Sequence, residues 1–245
     1  MVLRTLLNMF ADRIIFQPPA ATYKGTGQIH KLRTANQRKI SAMYLPNRNS
    51  PYTVPSSHGN AEDLGTVRYE LEAFREMGYA VLGYDYEGYG TSEGKPLEAA
   101  VYRDIDAAYL YLTRERRVPV DRMIAHGRSL GGAVAADLAS RNPVAGLILE
   151  STFVSAVRVM TRVWVPFDKF RTLAKLKHVQ CPVLVIHGTH DEVVGFWHGQ
   201  MLYAEAHTPK RKLWVDGAGH NDLAEVAGER YRRAWLEFTE LLEKR

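Results

Sequence analysis

Short apolar segments alternate with longer helical patterns along most of the chain. Several apolar segments, such as GLIL and PVLVI, have no polar position, as in parallel strands covered on both faces. The predicted strands are Gln28–Arg33, Lys39–Leu45, Tyr52–Ser57, Ala80–Tyr86, Arg122–His126, Gly146–Glu150, Pro182–His187 and Lys212–Val215. The predicted helices are Glu62–Met77, Pro96–Arg114, Ser129–Arg141 and Glu229–Glu243. This alternation predicts an α/β fold with an open, mostly parallel twisted sheet and helices on both faces.

The early strands depart from this regular pattern in two places. The first two predicted strands flank Thr34–Arg38, which indicates an antiparallel hairpin at a sheet edge. Pro55 lies inside the third predicted strand, which this topology places near the centre of the sheet. Because proline has no N–H to donate to a neighbouring strand, we expect that strand to be short or locally irregular.

Composition narrows the class of protein. The chain has 245 residues, of which 46% are hydrophobic, so it can bury a full core. Its net charge is +5, and the lysines and arginines are scattered along the chain. The sequence also has no zinc-ligand spacing, and we therefore expect no nucleic-acid partner. Cys181 is the only cysteine, which excludes an intrachain disulfide. With no apolar run of about 18 residues, the protein is predicted to be soluble and cytoplasmic.

The first segment, Met1–Phe10, admits two interpretations. It is short of apolar length and lacks a small-residue cleavage site, so it makes a poor signal peptide. It either forms an amphipathic lip that touches membrane or substrate, or forms a helix packed on the body of the protein. The second interpretation is favoured, so membrane contact through Met1–Phe10 is not expected.

The segment AHGRSLGGA carries the pattern G-x-S-x-G around Ser129. A predicted strand precedes it and a helix of small residues follows, which is the context in which this pattern exposes a nucleophilic serine. Gly127 and Gly131 lie where a side chain would crowd the sharp turn. A serine that only caps the helix is the alternative, so the assignment depends on the other groups.

A serine hydroxyl needs a neighbouring base, and His220 is the strongest of nine histidines. It lies in the loop GAGHND after the last predicted strand, at the same sheet edge as the serine. Asp191 follows the strand PVLVIHG and provides a carboxylate for the histidine, in the chain order Ser, Asp, His. His190 is the rival base, and we expect its side chain to face solvent. Glu192 and Glu150 are the rival acids, with a structural role favoured for Glu150.

An oxyanion formed during acyl transfer needs two backbone donors. The N–H of Leu130, directly after the serine, is the first candidate. The second is the N–H of Asn60 in the loop SHGNAEDLG, with Ala61 as its alternative. The same loop would also serve as a turn that caps the following helix, and the two roles are compatible.

The stretches SHGNAEDLG, DYEGYGTSEGKP, HGRSLGGA, LEST, PVLVIHGTHDEVV and GAGHND together resemble the α/β-hydrolase family. The likeness is to its small, lid-poor serine hydrolases, a branch with protein depalmitoylases and many bacterial esterases and serine aminopeptidases. The resemblance implies an eight-stranded sheet whose second strand is antiparallel. It also implies a triad of Ser129, Asp191 and His220, oxyanion donors at Asn60 and Leu130, and no metal or cofactor.

The chain is predicted to be a single domain, 1–245, in which 153–180 form a short lid-like helical insertion. This insertion is too short for a separate cap domain and would leave the site open. Apolar residues of the insertion and of the loop after the acid would either wall the substrate site or belong to the core. The candidate wall residues are Phe153, Met160, Trp164, Phe196 and Trp197.

The expected reaction is hydrolysis of carboxylic esters or thioesters with small to medium acyl groups, through an acyl-enzyme. The expected partner is accordingly a small-molecule acyl ester or thioester. A serine peptidase or amidase, and a depalmitoylase-like thioesterase, use the same triad and stay open as alternatives. A non-catalytic binding protein that keeps the hydrolase fold is the alternative from another class.

Overall fold

A computed structural model describes residues 12, 15–160, 168–207 and 209–244. Eight strands form one sheet. Their bounds are β1 Ile29–Arg33, β2 Lys39–Leu45, β3 Thr53–Ser57, β4 Ala80–Tyr84, β5 Ile124–Arg128, β6 Gly146–Glu150, β7 Val183–Gly188 and β8 Lys210–Val215. All eight predicted strands are present, and β2 and β6 have the predicted bounds. Within the described ranges, no helix combines the length and apolar character needed to span a bilayer.

The strand order is β1-β2-β4-β3-β5-β6-β7-β8. β2 pairs antiparallel with both β1 and β4, and every other pair is parallel. The predicted edge hairpin and the mostly parallel sheet are therefore confirmed. Because β3 to β8 run in the same direction, the loops that follow them meet at one edge of the sheet.

Pro55 interrupts the pairing of β3 with one of its neighbours. On the β4 side the register is continuous, from Thr53 opposite Ala80 to Ser57 opposite Tyr84. On the β5 side only Ser56 and Ser57 pair in the ladder, with an isolated bridge at Thr53. The predicted local irregularity is confirmed, and it leaves intact the end of β3 from which the next loop emerges.

The helices lie on both faces of the sheet, as predicted. In the described residues they are α1 Arg68–Glu76, α2 Glu98–Leu110, α3 Leu130–Arg141, α4 Ala156–Met160, α5 Thr172–Leu176, α6 Trp197–Glu205, α7 Leu223–Ala227 and α8 Glu229–Glu243. A π-helical turn, Tyr111–Glu115, extends α2. The prediction for α8 matches its bounds, whereas α6 and α7 were not expected from the sequence.

Two apolar layers cover the sheet. One contains buried residues of α2 and α3, such as Ile105 and Leu138. The other contains buried residues of α1 and α8, such as Phe74 and Trp235. The glycines of α3 allow it to approach the sheet closely, because a Cβ on Gly131 would collide with the carbonyl oxygen of Ser57. This close packing sets the first turn of α3 directly against the end of β3.

Candidate active site

Ser129 lies in the sharp turn between β5 and α3. Its backbone has φ 53° and ψ −116°, a left-handed conformation that is strained for a residue with a side chain. Its N–H donates to the carbonyl of Glu150 at 2.8 Å, and its carbonyl accepts the N–H of Gly132 at 3.1 Å. A Cβ on Gly127 would collide with the backbone of Gly131, so the turn requires a glycine there. These constraints hold Ser129 at the carboxyl edge of the sheet.

His220 and Asp191 form a hydrogen-bonded pair at the same edge. His220 Nδ1 lies 2.8 Å from Asp191 Oδ2. The other carboxylate oxygen accepts the N–H groups of Val193 at 3.0 Å and Val194 at 2.7 Å. Burial alone would raise the pKa of Asp191, but His220 and the N–H of Val194 together hold that pKa below its usual value. Asp191 is therefore a carboxylate at neutral pH, and it orients the His220 ring.

The rival residues occupy other environments. His190 and Glu192 are exposed, as predicted for His190. Glu150 is buried and accepts a hydrogen bond from Tyr231 at 2.6 Å, in keeping with a structural role. His187 is a second neighbour of Asp191, 3.4 Å from its carboxylate, although it was not a predicted site residue. Burial lowers the pKa of His187, so this ring is neutral at pH 7, and its Nε2–H donates to the carbonyl of Val194 at 2.7 Å.

Asn60 and Leu130 lie beside Ser129, at one end of an apolar cavity. Leu130 is the first residue of α3, where a backbone N–H has no acceptor within the helix. The Asn60 side chain connects three segments. It accepts hydrogen bonds from Tyr89 at 2.7 Å and from the N–H of Gln17 at 3.1 Å, and it donates to the carbonyl of Ile15 at 2.5 Å. The loop that bears Asn60 is thus fixed from both sides.

A buried contact between His58 and Asp85 supports the same loop. His58 Nε2 lies 3.3 Å from Asp85, and its Nδ1 lies 2.7 Å from the carbonyl oxygen of Gly59. Burial opposes the charge on His58, but Asp85 and the Gly59 carbonyl raise its pKa above the usual value. Asp85 also accepts the N–H of Leu64 at 2.8 Å. The motif DYEGYG, which begins at Asp85, therefore has a structural role here.

The cavity beside Ser129 has a volume of about 220 Å³. Its apolar lining comes from three segments: the N-terminal stretch, the insertion after β6, and the loop after Asp191. The residues concerned are Ile15, Phe153, Ala156, Val159, Val193 and Val194. The arrangement places an apolar pocket directly next to the candidate nucleophile.

The five predicted wall residues have different positions. Phe153 is buried and lines the cavity. Trp164 and the side chain of Met160 lie outside the described residues, as does Met1–Phe10. Phe196 packs edge-on against Trp214 on β8, at 5.1 Å between ring centroids, and Trp197 stacks on His198 at 3.7 Å. The start of α6 turns these two rings toward neighbouring aromatic side chains, and the cavity lining does not include them.

Arg128, which precedes Ser129, was not predicted as a site residue. It is buried at the end of β5, where the pattern of a parallel strand favours an apolar side chain. It forms an ion pair with Glu62 in the loop of Asn60, and its Nη2 donates to Asn221 Oδ1 at 2.5 Å. Asn221 directly follows His220. The strand predicted from the sequence ended at His126, so Arg128 lay outside it, and the one signal was its place directly before Ser129.

A second cavity, of about 400 Å³, lies behind Arg128 and contains an unusual carboxyl group. Glu70 of α1 and Glu150 both line it. Burial, reinforced by the negative charges of Glu62 and Glu150, raises the pKa of Glu70 from 4.5 to about 7. Glu70 is therefore partly protonated near neutral pH.

This raised pKa predicts a pH-dependent stability. Between pH 4.5 and about 7 the folded chain keeps the Glu70 proton that the unfolded chain has released, so the free energy of unfolding falls as pH rises. Glu70→Gln removes this contribution, and we expect its Tm to fall less than that of wild type from pH 5 to pH 8. Thermal unfolding at each pH measures the difference. Glu72→Gln, on the exposed side of α1, is the matched control, and equal slopes for wild type and Glu70→Gln would contradict the prediction.

Comparison with known proteins agrees with this fold. Residues 52–170 match the family model of the serine aminopeptidases, S33. α/β-hydrolase domain-containing protein aho-3 of Caenorhabditis elegans is 43% identical over 197 residues, which are 78% of this chain and 59% of that protein. Human α/β-hydrolase domain-containing protein 17B is 39% identical over 206 residues, which are 82% of this chain and 71% of that protein.

Solved structures share the fold at low sequence identity. An esterase from Pyrococcus furiosus superposes with a TM-score of 0.78 at 20% identity, covering 94% of this chain and 98% of that one. An esterase from a Rhodococcus species gives 0.70 at 18% identity, covering 88% of this chain and 100% of that one. These likenesses show the fold. The human relative, 39% identical with 71% of its length covered, shows that the chain belongs to the family of α/β-hydrolase domain-containing proteins.

Proposed function

We propose that the protein is a serine hydrolase that cleaves carboxylic ester or thioester bonds of small to medium acyl substrates. The observation that carries the proposal is the position of Ser129. It lies in a strained turn beside an apolar cavity, at the same sheet edge as the hydrogen-bonded pair of His220 and Asp191. Ser129 is the proposed nucleophile, His220 the general base and Asp191 the group that orients it.

The first half of the reaction follows from the protonation states. Asp191 accepts the Nδ1–H of His220, which leaves Nε2 with a lone pair for the Ser129 proton. The Ser129 oxygen attacks the substrate carbonyl, and the oxyanion accepts the N–H groups of Leu130 and Asn60. His220 then gives its proton to the leaving alcohol or thiol, and an acyl-serine remains.

The second half uses the same groups. A water molecule in the place of the departed alcohol gives a proton to His220 and attacks the acyl-serine carbonyl. The tetrahedral intermediate collapses with release of the carboxylic acid, and His220 returns the proton to Ser129. The balance requires only water, which is consistent with the expectation that no metal or cofactor takes part.

The size of the cavity favours short to medium acyl chains. The cavity of about 220 Å³ is lined mainly by apolar side chains and lies directly beside Ser129, which suits an acyl chain of this size class. We propose that 153–180 act as a short lid over this pocket within a single domain. Phe153 at the start of this stretch and Ala156 and Val159 on α4 already contribute to the pocket wall.

A series of p-nitrophenyl esters tests the size argument. We expect kcat/KM to rise with chain length to about the volume of the pocket and then to fall. Val159→Phe fills part of the pocket, so it should lower kcat/KM for hexanoate and octanoate by about 10-fold or more, since each displaced methylene costs ~1–3 kcal/mol. Acetate hydrolysis should change little. Leu236→Phe, on the exposed side of α8, is the control, and equal effects of Val159→Phe on all chain lengths would contradict the proposed acyl site.

The leaving group is a separate question. The match to the serine aminopeptidase family supports an amide as a second candidate substrate, because the triad acts on esters, thioesters and amides alike. An acyl-CoA and an aminoacyl p-nitroanilide, assayed beside the preferred ester, separate the three. We expect the ester and the thioester to be cleaved faster, and a higher kcat/KM for the anilide would replace the esterase assignment.

A further inference from the structure

Arg128 is a buried cation at the carboxyl end of β5, directly before Ser129. Only 9% of its surface is exposed. A buried arginine is costly unless each side of its guanidinium finds a partner. The partners of this guanidinium therefore indicate why a charge lies beside the turn at Ser129.

One side of the guanidinium reaches the loop that bears the oxyanion donor. Nη1 forms the ion pair with Oε1 of Glu62. The other oxygen of Glu62 accepts the N–H of Gly59 at 2.5 Å. Gly59 immediately precedes Asn60, so Arg128 is connected through a single carboxylate to the peptide next to the one whose N–H is the proposed donor.

The other side reaches the loop that bears the base. Nη2 donates to Oδ1 of Asn221 at 2.5 Å. Asn221 follows His220 in the chain, so this contact reaches the loop that bears the base. The three catalytic segments, namely the turn at Ser129, the loop of Asn60 and the loop of His220, thus meet at one guanidinium.

The charge of Arg128 is permanent. Burial alone would lower its pKa, but Glu62 and then Glu150 and Glu70 raise it further above its usual range. A lysine at this position would keep the charge but lose the planar fork, because one ammonium group does not reproduce two parallel donors in fixed directions. The planar geometry of the guanidinium, in addition to its charge, therefore distinguishes arginine from lysine at this position.

We propose that Arg128 is a positioning residue. It fixes the positions of the loop of Asn60 and the loop of His220 relative to Ser129. The inference rests on the proposed function, since it concerns the same reaction. The guanidinium of Arg128 acts on the two loops through its contacts with Glu62 and Asn221. A displacement of about 1 Å in either loop costs on the order of 10²-fold in rate, so loss of Arg128 reduces kcat and leaves substrate binding in the apolar cavity largely intact.

The cavity behind Arg128 allows chemical rescue. It has a volume of about 400 Å³, and Arg128, Glu150 and Asn221 contribute to its lining. Arg128→Ala opens further space toward Glu62 and Asn221, into which a free guanidinium ion fits. Urea has nearly the same shape without the charge, and it is the matched control for the added compound.

The test compares Arg128→Ala, Arg128→Lys and Arg68→Ala with wild type. Arg68 forms an exposed ion pair with Glu72, and its variant controls for loss of a surface arginine. For Arg128→Ala we expect kcat on a p-nitrophenyl ester to fall about 100-fold with KM within about 3-fold. Arg128→Lys should recover only part of kcat. Guanidinium chloride at tens of millimolar should raise kcat of Arg128→Ala several-fold, whereas urea and sodium chloride at equal concentration should not.

Three results would overturn the proposal. They are an unchanged kcat in Arg128→Ala, a loss of rate that follows only the folded fraction measured by circular dichroism, and equal effects of guanidinium and urea. If Arg128→Ala does not fold, Glu62→Gln and Asn221→Ala take its place. Lower kcat in both at constant KM supports the proposal, and wild-type kcat in both contradicts it. Failure of the proposed function can be distinguished from failure of the role proposed for Arg128, because in the first case the wild-type protein itself would show no hydrolysis.

Discussion

Ser129→Ala is expected to lower kcat for ester hydrolysis by about 10⁴-fold or more, to the residual rate that the oxyanion donors and binding alone provide. The reason is that, among the described residues lining the apolar cavity, Ser129 alone has a hydroxyl group, and it lies in the turn between β5 and α3. The substitution removes one oxygen from a site held by backbone hydrogen bonds, so the fold should be retained.

The measurement is steady-state hydrolysis of the preferred p-nitrophenyl ester, with thermal unfolding as the check on folding. Ser140→Ala is the control, since that serine lies near the other end of α3 and its hydroxyl donates to the carbonyl of Asp137. Retained activity in Ser129→Ala would reject the nucleophile. A wild type without activity toward any ester, thioester or amide would favour a non-catalytic binding protein with a hydrolase fold.

Asp191→Asn is expected to lower kcat by about 10⁴-fold at neutral pH. The amide that replaces the carboxylate presents an N–H₂ donor toward Nδ1 of His220, which favours the tautomer with its proton on Nε2. That tautomer has no lone pair for the Ser129 proton. The second histidine near the acid, His187, does not replace the lost function, because its Nε2–H is engaged by the carbonyl of Val194.

The control for this variant is Glu192→Gln, the exposed neighbouring acid, which should keep wild-type kcat. The dependence of kcat on pH gives a second measure. The pKa of Asp191 lies below the usual value for an aspartate, so Asp191 stays ionised when the pH falls to that usual value. Wild type should therefore lose activity through protonation of Asp191 only at a still lower pH. An Asp191→Asn variant with near-normal kcat, or a Glu192→Gln variant without activity, would assign the orienting role to another carboxylate.

The fold could be predicted from the sequence because its parallel strands are apolar on both faces. The runs GLIL and PVLVI have this character, and β6 was predicted with its observed bounds. Glycines marked the turn at Ser129 for a steric reason, since Gly127 and Gly131 contact backbone that a side chain would displace. The roles of Ser129, His220 and Asp191 stay predictions, although the structure places the last two in hydrogen-bond contact.

Other features depend on contacts that no local pattern contains. α6 has Gly199 in its interior and buries His198 and Leu202 without a clear apolar stripe, so its sequence does not resemble an amphipathic helix. Phe196 directly precedes that helix and Trp197 begins it, and the sequence left open whether the two residues wall the substrate site or belong to the core. Their orientation is decided by distant partners such as Trp214. Arg128 is likewise defined by residues far away in the chain.

Covalent labelling of Ser129 tests the central claim most directly. A fluorophosphonate reacts only with a serine that an adjacent base activates. Trypsin cleaves after Arg128 and Arg141, so Ser129 becomes the first residue of the peptide SLGGAVAADLASR. Fragment masses then distinguish it from Ser140 in the same peptide. We predict that the wild-type protein carries the phosphonyl group on Ser129 and that Ser129→Ala carries none; an unlabelled wild type, or a label on any other residue, would contradict the account.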